Sequence, residues 1–143
     1  MDANYYTLPL KTIDFITNKT HNVCVINESI SHHIHLINTT YFGECTFDES
    51  FGCSIWNVDF DNLKSQNKLK ELINDSLLFS LKRHEKRLSD IMVNVRVMQE
   101  EISDAKVINR IKKKVDINIT GKIKKTNEEF SYVEYFYIGP LSY

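Results

Sequence analysis

Three acidic residues lie in a short turn-forming segment, and neighbouring carboxylates of this kind can carry out acid–base chemistry. Glu44 follows Gly43, and Asp48 and Glu49 come shortly after it. A glycosidase needs one carboxyl with a raised pKa and a second carboxyl about 5–9.5 Å away across a cleft. The sequence indicates neither burial of Glu44 nor a placed second acid, and acidic residues beside glycine are common in turns. A murein hydrolase that uses Glu44 and a neighbouring acid stays an alternative hypothesis.

Histidine and cysteine side chains near the first predicted helix are of the types that bind metals. His32, His33 and His35 lie between Cys24 and Cys45 in the sequence. On a helix, residues i and i+3 share a face, so His32 and His35 converge while His33 points away with the apolar stripe. Structural zinc needs four ligands, and no fourth ligand stands at a recognisable spacing. We therefore predict no metal and no cofactor.

Basic side chains are concentrated in two neighbouring predicted strands: Arg110, Lys112, Lys113, Lys114, Lys122, Lys124 and Lys125. Alternation places Lys112 and Lys114 on the face opposite Val115, where they meet solvent. Lysines on an edge strand also discourage unwanted pairing. Single-strand nucleic-acid binders interleave basic residues with aromatic stacking platforms, which this segment lacks. We predict no nucleic-acid partner and favour a protein with an acidic face, while a nucleic-acid module built on residues 110–125 remains a third hypothesis.

A charged triplet, Glu85-Lys86-Arg87, stands at the C-terminal end of the second predicted helix. A carboxylate there opposes the negative end of the helix dipole and needs a cationic partner. Arg87 is favoured at that end, and its guanidinium can fork onto a carboxylate or a main-chain carbonyl. Such a triplet is either a solvated helix end or an interface element in which a bidentate arginine gives registry. If it is an interface element, alanine variants of Glu85 and Arg87 should leave the isolated domain folded.

Two helices must position these residues. Apolar residues spaced by three and four predict the first helix from Ile26 to near Asn38, and a second such stripe predicts the other from about Gln66 to Arg87. Gly43 and Gly52 bracket a turn-rich segment between the helices. That segment carries large apolar side chains, which we expect to pack on the domain because exposure would leave an apolar patch. They are Phe42, Phe47, Phe51, Ile55, Trp56 and Phe60.

Three strands follow the helices. Apolar residues alternate over residues 91–97, 111–119 and 130–138, as in half-buried strands. The polar segment 124–128 predicts a hairpin that pairs the last two strands antiparallel. We therefore predict an α+β fold with two main helices packed on one face of a small, largely antiparallel sheet. Residues 1–22 are predicted to form an N-terminal arm, and residues 23–143 a single domain.

Composition indicates an ordinary globular chain. At 143 residues a single domain buries roughly 68–70% of the surface that its unfolded chain exposes. The formal charge of −1 gives no overall attraction to nucleic acid or to anionic membranes. Three cysteines at irregular spacing fit reduced thiols in the cytoplasm. The N-terminus lacks the pattern of a signal peptide, and no apolar stretch is long enough to span a bilayer, so we predict a cytoplasmic protein without membrane insertion.

Three short segments occur in a fixed order around these elements: Thr39-Thr40-Tyr41-Phe42-Gly43-Glu44, then Ser50-Phe51-Gly52, then Glu85-Lys86-Arg87-Leu88. Together they resemble the baseplate wedge family of contractile injection machines, which includes the type VI secretion subunit TssE and myophage baseplate proteins once called tail lysozymes. In that family a first helix runs into a T-x-x-G-E turn, an F-G turn follows, and a second helix ends at E-P-R-[IL]. The resemblance covers roughly residues 26–140, and Lys86 stands where the family has proline.

The resemblance implies a structural protein without catalytic activity. A TssE-like wedge subunit would bind the wedge proteins TssF and TssG in a sixfold baseplate and would template the sheath of TssB and TssC. The sheath would dock by sharing strands with a sheet edge, as in β-augmentation. The implied interface residues are Glu44, Glu85, Lys86 and Arg87, and the implied structural turn residues are Gly43, Phe51, Gly52 and Trp56. A phage tail or an extracellular contractile particle would use a similar wedge subunit, so all three machines stay open.

Trp56 is the single tryptophan and follows the Phe51-Gly52 turn. We expect its side chain to be buried and to anchor the aromatic segment on the helices. Truncation of a buried tryptophan costs roughly 3–5 kcal/mol. Its fluorescence should then be blue-shifted in the native state.

Overall fold

The apolar stripes form helices and the alternating segments form strands, as the sequence predicts. The computed structural model describes residues 5–56, 66–104 and 107–138, with the side chains of residues 66 and 100–112 left aside. Phe60 therefore lies outside the described residues, as do the side chains of Arg110 and Lys112. In chain order the elements are β1 (Tyr5–Tyr6), α1 (Thr12–Thr17), β2 (Val23–Cys24), α2 (Ile26–Thr39), α3 (Gln66–His84), β3 (Leu88–Asp104), β4 (Val107–Ile123) and β5 (Glu129–Ile138).

The core lies between α2, α3 and one face of the sheet β3-β4-β5. Ile34 of α2, Leu77 of α3 and Ile117 of β4 are completely buried in it, and each belongs to the apolar pattern that predicted its element. Burial of such side chains stabilises the fold by about 1.5–3 kcal/mol each. The predicted α+β architecture of two main helices on an antiparallel sheet is confirmed.

Both pairings in the sheet are antiparallel, and the last two strands form the predicted hairpin. Its turn contains Asn127 in the left-handed region, with φ of 61°, which asparagine tolerates better than most residues. The ladder between β3 and β4 continues beyond the predicted strands to the pair Asp104↔Val107. Main-chain pairing does not require apolar side chains, so these two strands extend beyond the alternating apolar residues that predicted them.

The second of the two predicted helices corresponds to α3. It is shorter than predicted and ends at His84 instead of Arg87. Glu85 N–H still donates to Leu81 O at 2.9 Å, in the helical pattern. Arg87 N–H donates instead to Oε1 of Glu85, at 3.0 Å. The side chain of Glu85 thus replaces the next helical acceptor, and the backbone leaves the helix there.

Residues 5–24 carry β1, α1 and β2. β1 pairs antiparallel with β2 through Tyr5↔Cys24, so this pairing joins residues on the two sides of the predicted boundary after residue 22. The boundary itself stays a prediction. Ile13 and Ile16 of α1 are exposed, and none of the residues of α1 is buried. Among the described helices, none is long and apolar enough to cross a membrane.

Candidate functional site

Glu85 and Arg87 form a bidentate ion pair where α3 gives way to β3. Nε and Nη2 of Arg87 donate to the two oxygens of the Glu85 carboxylate, both at 2.9 Å. The main-chain N–H of Arg87 adds a third hydrogen bond to the same carboxylate. A fork of this kind fixes the position of both side chains more firmly than a single contact.

The first alternative for this pair, a solvated helix end, is wrong for Glu85. Glu85 is 1% exposed, because α2 lies over the end of α3 and covers the carboxylate. Nδ1 of His33 on α2 reaches Oε2 of Glu85 at 2.7 Å. Leaving a buried charge without its partner is strongly destabilising, so the expectation that alanine variants leave the domain folded is withdrawn for Glu85.

Arg87 extends the pair to other parts of the chain. Nη1 donates to Oγ of Ser29 on α2 at 2.8 Å, and the guanidinium lies over the Tyr5 ring of β1, 5.4 Å from its centroid. The main-chain oxygen of Arg87 accepts from Lys124 N–H in the β4–β5 turn at 2.9 Å. The side chain therefore ties the N-terminal arm and α2 to the end of α3. We call Glu85, Arg87, His33 and Ser29 the clamp.

Opposing effects act on the pKa of Glu85. Burial alone would raise it, but hydrogen bonds from His33 and Arg87, together with the charge of Arg87, lower it to about 2. The hydrogen bonds that Arg87 donates to Glu85, together with the charge of that carboxylate, raise the pKa of Arg87 above its ordinary value, against the opposing effect of burial. The carboxylate is therefore ionised at any physiological pH. The pair holds the structure together and does not exchange protons.

Sequence reasoning did not identify His33, Ser29 and Tyr5 as partners of the pair. One signal was present, since His33 shares the apolar face of α2 with Ile30 and Ile37. A polar side chain on the buried face of a core helix needs a hydrogen-bonding partner inside the domain. A carboxylate at the end of the neighbouring helix was a candidate for that role.

The two glycines of the turn segment adopt backbone angles that suit glycine. Gly43 has φ of +86° and Gly52 has φ of +121°. A Cβ atom on Gly52 would lie 2.5 Å from Thr40 O, whereas one on Gly43 would meet nothing within 4 Å. Cys53 N–H donates to Thr40 O at 2.9 Å, which requires the close approach at Gly52. These bonds close the segment from residue 40 to residue 53.

Glu44 lies in this turn as an exposed residue. Its Oε2 accepts a hydrogen bond from Tyr41 N–H at 3.1 Å. Asp48 accepts hydrogen bonds from the main chain and hydroxyl of Ser50, which lower its pKa. A general acid needs a carboxyl that is kept protonated by burial, and neither carboxylate has that environment.

Phe51 connects the turn to the clamp. Its ring stacks against His33, with centroids 6.0 Å apart, and meets His84 edge-on at 5.1 Å. Nε2 of His84 also lies 3.2 Å from Ser50 O. The turn and the clamp are therefore packed as one unit, although more than thirty residues of sequence separate Phe51 from Glu85.

Two expectations about the aromatic segment are wrong. Trp56 is 40% exposed, although its indole N–H donates to Asn38 O at 2.7 Å and its ring meets Phe136 at 5.4 Å. It contacts α2 and β5 at the edge of the core without being buried. Phe47 is 97% exposed, because the turn is closed by its own hydrogen bonds and does not need that ring as an anchor.

A second polar network lies where α2 crosses β5. Glu134 accepts hydrogen bonds from Asn38 Nδ2 at 3.1 Å and from Tyr132 OH at 2.6 Å, and Nδ1 of His35 contacts its other oxygen. His32 points elsewhere, since its Nδ1 accepts from Leu8 N–H at 3.4 Å. Within residues 5–56, 66–104 and 107–138, no three histidine, cysteine, aspartate or glutamate side chains are arranged to hold a metal.

Lys86 and Lys114 are two of the basic residues that the sequence analysis singled out. Lys86 is exposed, and its Nζ donates to Lys82 O at 3.3 Å. Lys114 lies on the outer face of the sheet, 3.8 Å from Asp116 and over the Tyr135 ring. Its placement on the outer face agrees with the alternation argument.

The chain resembles known proteins in two comparisons. The family model of the baseplate wedge protein gp25 matches residues 25–128. The crystal structure of a candidate tail lysozyme from Geobacter sulfurreducens superposes with a TM-score of 0.58 and 23% sequence identity, covering 86% of this chain and 100% of that chain. No curated protein matches the chain. At that identity the structural likeness indicates a shared fold.

Proposed function

The chain belongs to the gp25 family of baseplate wedge proteins, and from this premise we propose that it is the TssE-like wedge subunit of a type VI secretion baseplate. Its role is structural and it works in the cytoplasm. It binds the wedge proteins TssF and TssG and offers a sheet edge on which the first ring of TssB and TssC assembles. Wedge subunits of phage tails and extracellular contractile particles are the alternative within the same family.

One observation carries the proposal. The match over residues 25–128 spans both main helices, the two glycine turns, the clamp and the first two strands of the sheet. The match thus follows the parts that pack as one unit and does not rest on a single motif. A structural subunit needs a rigid shape more than a reactive group, and the clamp supplies rigidity.

The clamp has a specific part in this proposal. Glu85 is buried and Arg87 is committed to contacts within the chain, so both act by holding α2, the turn and the end of α3 in fixed relation. Lys86 between them and Glu44 in the turn are exposed. We therefore assign direct contact with TssF and TssG to Lys86 and Glu44, and positioning to Glu85 and Arg87.

A murein hydrolase is the rival from another class of protein. Glu44 is the carboxylate on which that hypothesis depends, and it is exposed and hydrogen-bonded within its own turn. A general acid of a glycosidase lies in a cleft that shields it from water, and the exposed position of Glu44 does not provide one. We therefore propose that the protein has no glycosidase activity.

Co-expression with TssF and TssG from the same genome tests the wedge proposal. Capture of both by the tagged chain is expected, and Lys86→Glu with Glu44→Gln should reduce capture while leaving the melting temperature unchanged, because glutamine keeps an oxygen that can accept from Tyr41 N–H. Lys82→Glu is the matched control, since it reverses the charge of an exposed lysine one turn earlier, on α3. Absence of capture by the wild-type protein overturns the proposal. Clearing of a peptidoglycan suspension by the wild-type protein, but not by Glu44→Gln, establishes the rival.

A further inference from the structure

The short helix α1 lies on the N-terminal arm without being packed into the domain. None of its six residues is buried, and Ile13 and Ile16 are 65% and 77% exposed. The two side chains share one face of the helix, since they are three residues apart. A helix this short is marginal in water by itself, because most helical stability in proteins comes from packing an apolar face. The apolar face of α1 therefore lacks a packing partner within the residues that the structure describes.

Aromatic contacts hold α1 from another side. Phe15, on a different face of the helix, stacks on the His21 ring with centroids 4.9 Å apart and meets the Tyr6 ring edge-on at 5.2 Å. Lys11 N–H, just before the helix begins, donates to Nε2 of His21 at 2.9 Å. These contacts position the helix and leave its two isoleucines in solvent.

An apolar groove lies next to α1, between the arm and α2. Its cavity of about 690 Å³ is bounded by residues 8–10 of the arm, by His32 and Leu36 of α2, and by Tyr132 of β5. The side chains of Leu10 and Leu36 are both exposed. Since α1 begins two residues after Leu10, the helix and the groove are neighbours. The chain thus carries an unfilled apolar groove beside an unpacked apolar helix.

The wall that α2 contributes to the groove has the spacing of a helix-packing face. Its residues are Ser31, His32, His35, Leu36 and Thr39. They recur at intervals of three and four over about two turns, which is the pattern by which one helix packs against another. The buried stripe of Ile30, Ile34 and Ile37 is a different face of α2 and meets the core. α2 therefore offers a second face to a helix from outside the domain.

The polar groups of this wall are already hydrogen-bonded within the chain. Ser31 Oγ donates to Asn27 O at 3.1 Å, and Thr39 Oγ1 donates to His35 O at 2.8 Å. Nδ1 of His35 contacts the carboxylate of Glu134. An extended segment would bring main-chain N–H and C=O groups that this wall leaves unpaired, whereas a helix satisfies most of its own. The groove therefore favours a short helix with apolar side chains, and α1 is such a helix.

We propose that two copies of the chain dimerise by placing α1 of each copy in the groove of the other, with Ile13 and Ile16 against Leu36 and Tyr132. The contact is reciprocal, as a two-fold axis requires. Because α1 adjoins the groove, one axis that passes between them brings both contacts together. Each copy fills the groove of the other and packs the other's exposed helix. This dimer goes beyond the wedge function and does not depend on it.

The dimer should be weak. Each contact buries one face of a six-residue helix, so the interface lies at the small end of specific interfaces. The isolated protein should therefore associate at high concentration and dissociate on dilution. Separation of the copies would return α1 and the groove of each copy to solvent.

Sedimentation velocity of the full chain, over a concentration series up to about 0.5 mM, tests the dimer. The wild-type protein should pass from monomer to dimer within the series. Ile16→Lys on α1 and Leu36→Glu in the groove should each weaken the dimer at least about tenfold, because each puts a charge into both contacts. Met92→Lys on β3 and Leu72→Glu on α3 are the controls. Met92 is about as exposed as Ile16, and Leu72 about as exposed as Leu36, but neither lines the groove.

Mixing the two variants tests whether the contact is reciprocal. In a mixed pair, the unchanged α1 of the Leu36→Glu copy enters the unchanged groove of the Ile16→Lys copy. The other contact joins the two introduced charges, which are opposite in sign. The mixture should therefore form dimers at concentrations where each variant alone is monomeric.

Methyl NMR of the wild-type protein gives a measurement that needs no variant. On dilution the methyl signals of Ile13 and Ile16 should shift, whereas that of Ile73, buried in the core, should stay unchanged. If circular dichroism shows that Leu36→Glu does not fold, Ile16→Lys and the methyl signals decide the question.

Other outcomes overturn the proposed dimer. A wild-type protein that stays monomeric throughout the series excludes it and leaves the wedge function standing, since capture of TssF and TssG does not need the dimer. Dimers that survive both Ile16→Lys and Leu36→Glu exclude these surfaces, and loss in both without recovery on mixing excludes the reciprocal contact. A monomer that loses capture of TssF and TssG with Leu36→Glu, but not with Leu72→Glu, would identify a partner's segment as the occupant. A dimer that captures neither TssF nor TssG would overturn the wedge function alone.

Discussion

Nδ1 of His33 lies 2.7 Å from Oε2 of Glu85, and this contact joins two helices across 52 residues of sequence. Glu85 therefore belongs to the interior of the domain, although it stands in a charged triplet at a helix end. The main consequence is for stability, because a buried carboxylate and its arginine depend on each other.

Replacing Glu85 should destabilise the protein. Glu85→Ala removes the partner of Arg87 and leaves a half-buried guanidinium without its carboxylate. We expect a loss of about 3 kcal/mol, the low end for a broken buried ion pair because Arg87 keeps some contact with water. Urea denaturation followed by circular dichroism measures it. Lys86→Ala, at the exposed neighbour, should change the free energy of unfolding by less than about 1 kcal/mol. Equal effects of the two changes would show that the pair is not a core element.

The free energy of unfolding should depend on pH in the acidic range through the carboxylate of Glu85. The pKa of Glu85 is about 2 in the folded protein, against an ordinary value of 4.5. Since the folded pKa is the lower one, the stabilisation is fully present above pH 4.5 and is lost as the pH falls toward 2. It amounts to about 3 kcal/mol at neutral pH. Unfolding free energies at a series of pH values should fall over that window, and Glu85→Gln should flatten the fall. An unchanged profile in Glu85→Gln would assign the acid dependence to other groups.

The two turn glycines should differ in their tolerance of a side chain. Gly52→Ala would bring Cβ within 2.5 Å of a main-chain oxygen at an unfavourable φ, so we expect a loss of at least about 3 kcal/mol. Gly43→Ala meets open space and should cost only the backbone penalty, about 1–2 kcal/mol. Thermal melts of the two variants make the comparison. A Gly43→Ala variant as unstable as Gly52→Ala would contradict it.

The fluorescence of Trp56 should have an emission maximum between that of a buried indole and that of a water-exposed indole. Its ring is 40% exposed but packs on Phe136 and donates a hydrogen bond to Asn38. The emission maximum should therefore shift only partly to the red on unfolding, and iodide should quench the native protein. Trp56→Phe should cost about 1 kcal/mol through the lost hydrogen bond. Native emission typical of a fully buried indole, with no quenching, would favour the burial that the sequence predicted.

Periodicity predicted the two main helices and the β4–β5 hairpin because local patterns of burial determine them. It could not place α2 over the end of α3, since that arrangement depends on how the helices cross on the sheet. The burial of Glu85 follows from this crossing, because His33 of α2 covers its carboxylate. His33 was a recoverable case, because its position on the apolar face of α2 was visible in the sequence.

The clamp also has a kinetic consequence. Glu85 pairs with Arg87 two residues away, and β3, β4 and β5 follow one another in sequence, so these contacts close short loops and can form early. His33 and Ser29 reach the same carboxylate and guanidinium only when α2 arrives from more than fifty residues away. Contacts that form after the transition state affect unfolding rates more than folding rates. The His33 and Ser29 contacts should thus lengthen the lifetime of the native state, because they slow unfolding without a matching effect on folding.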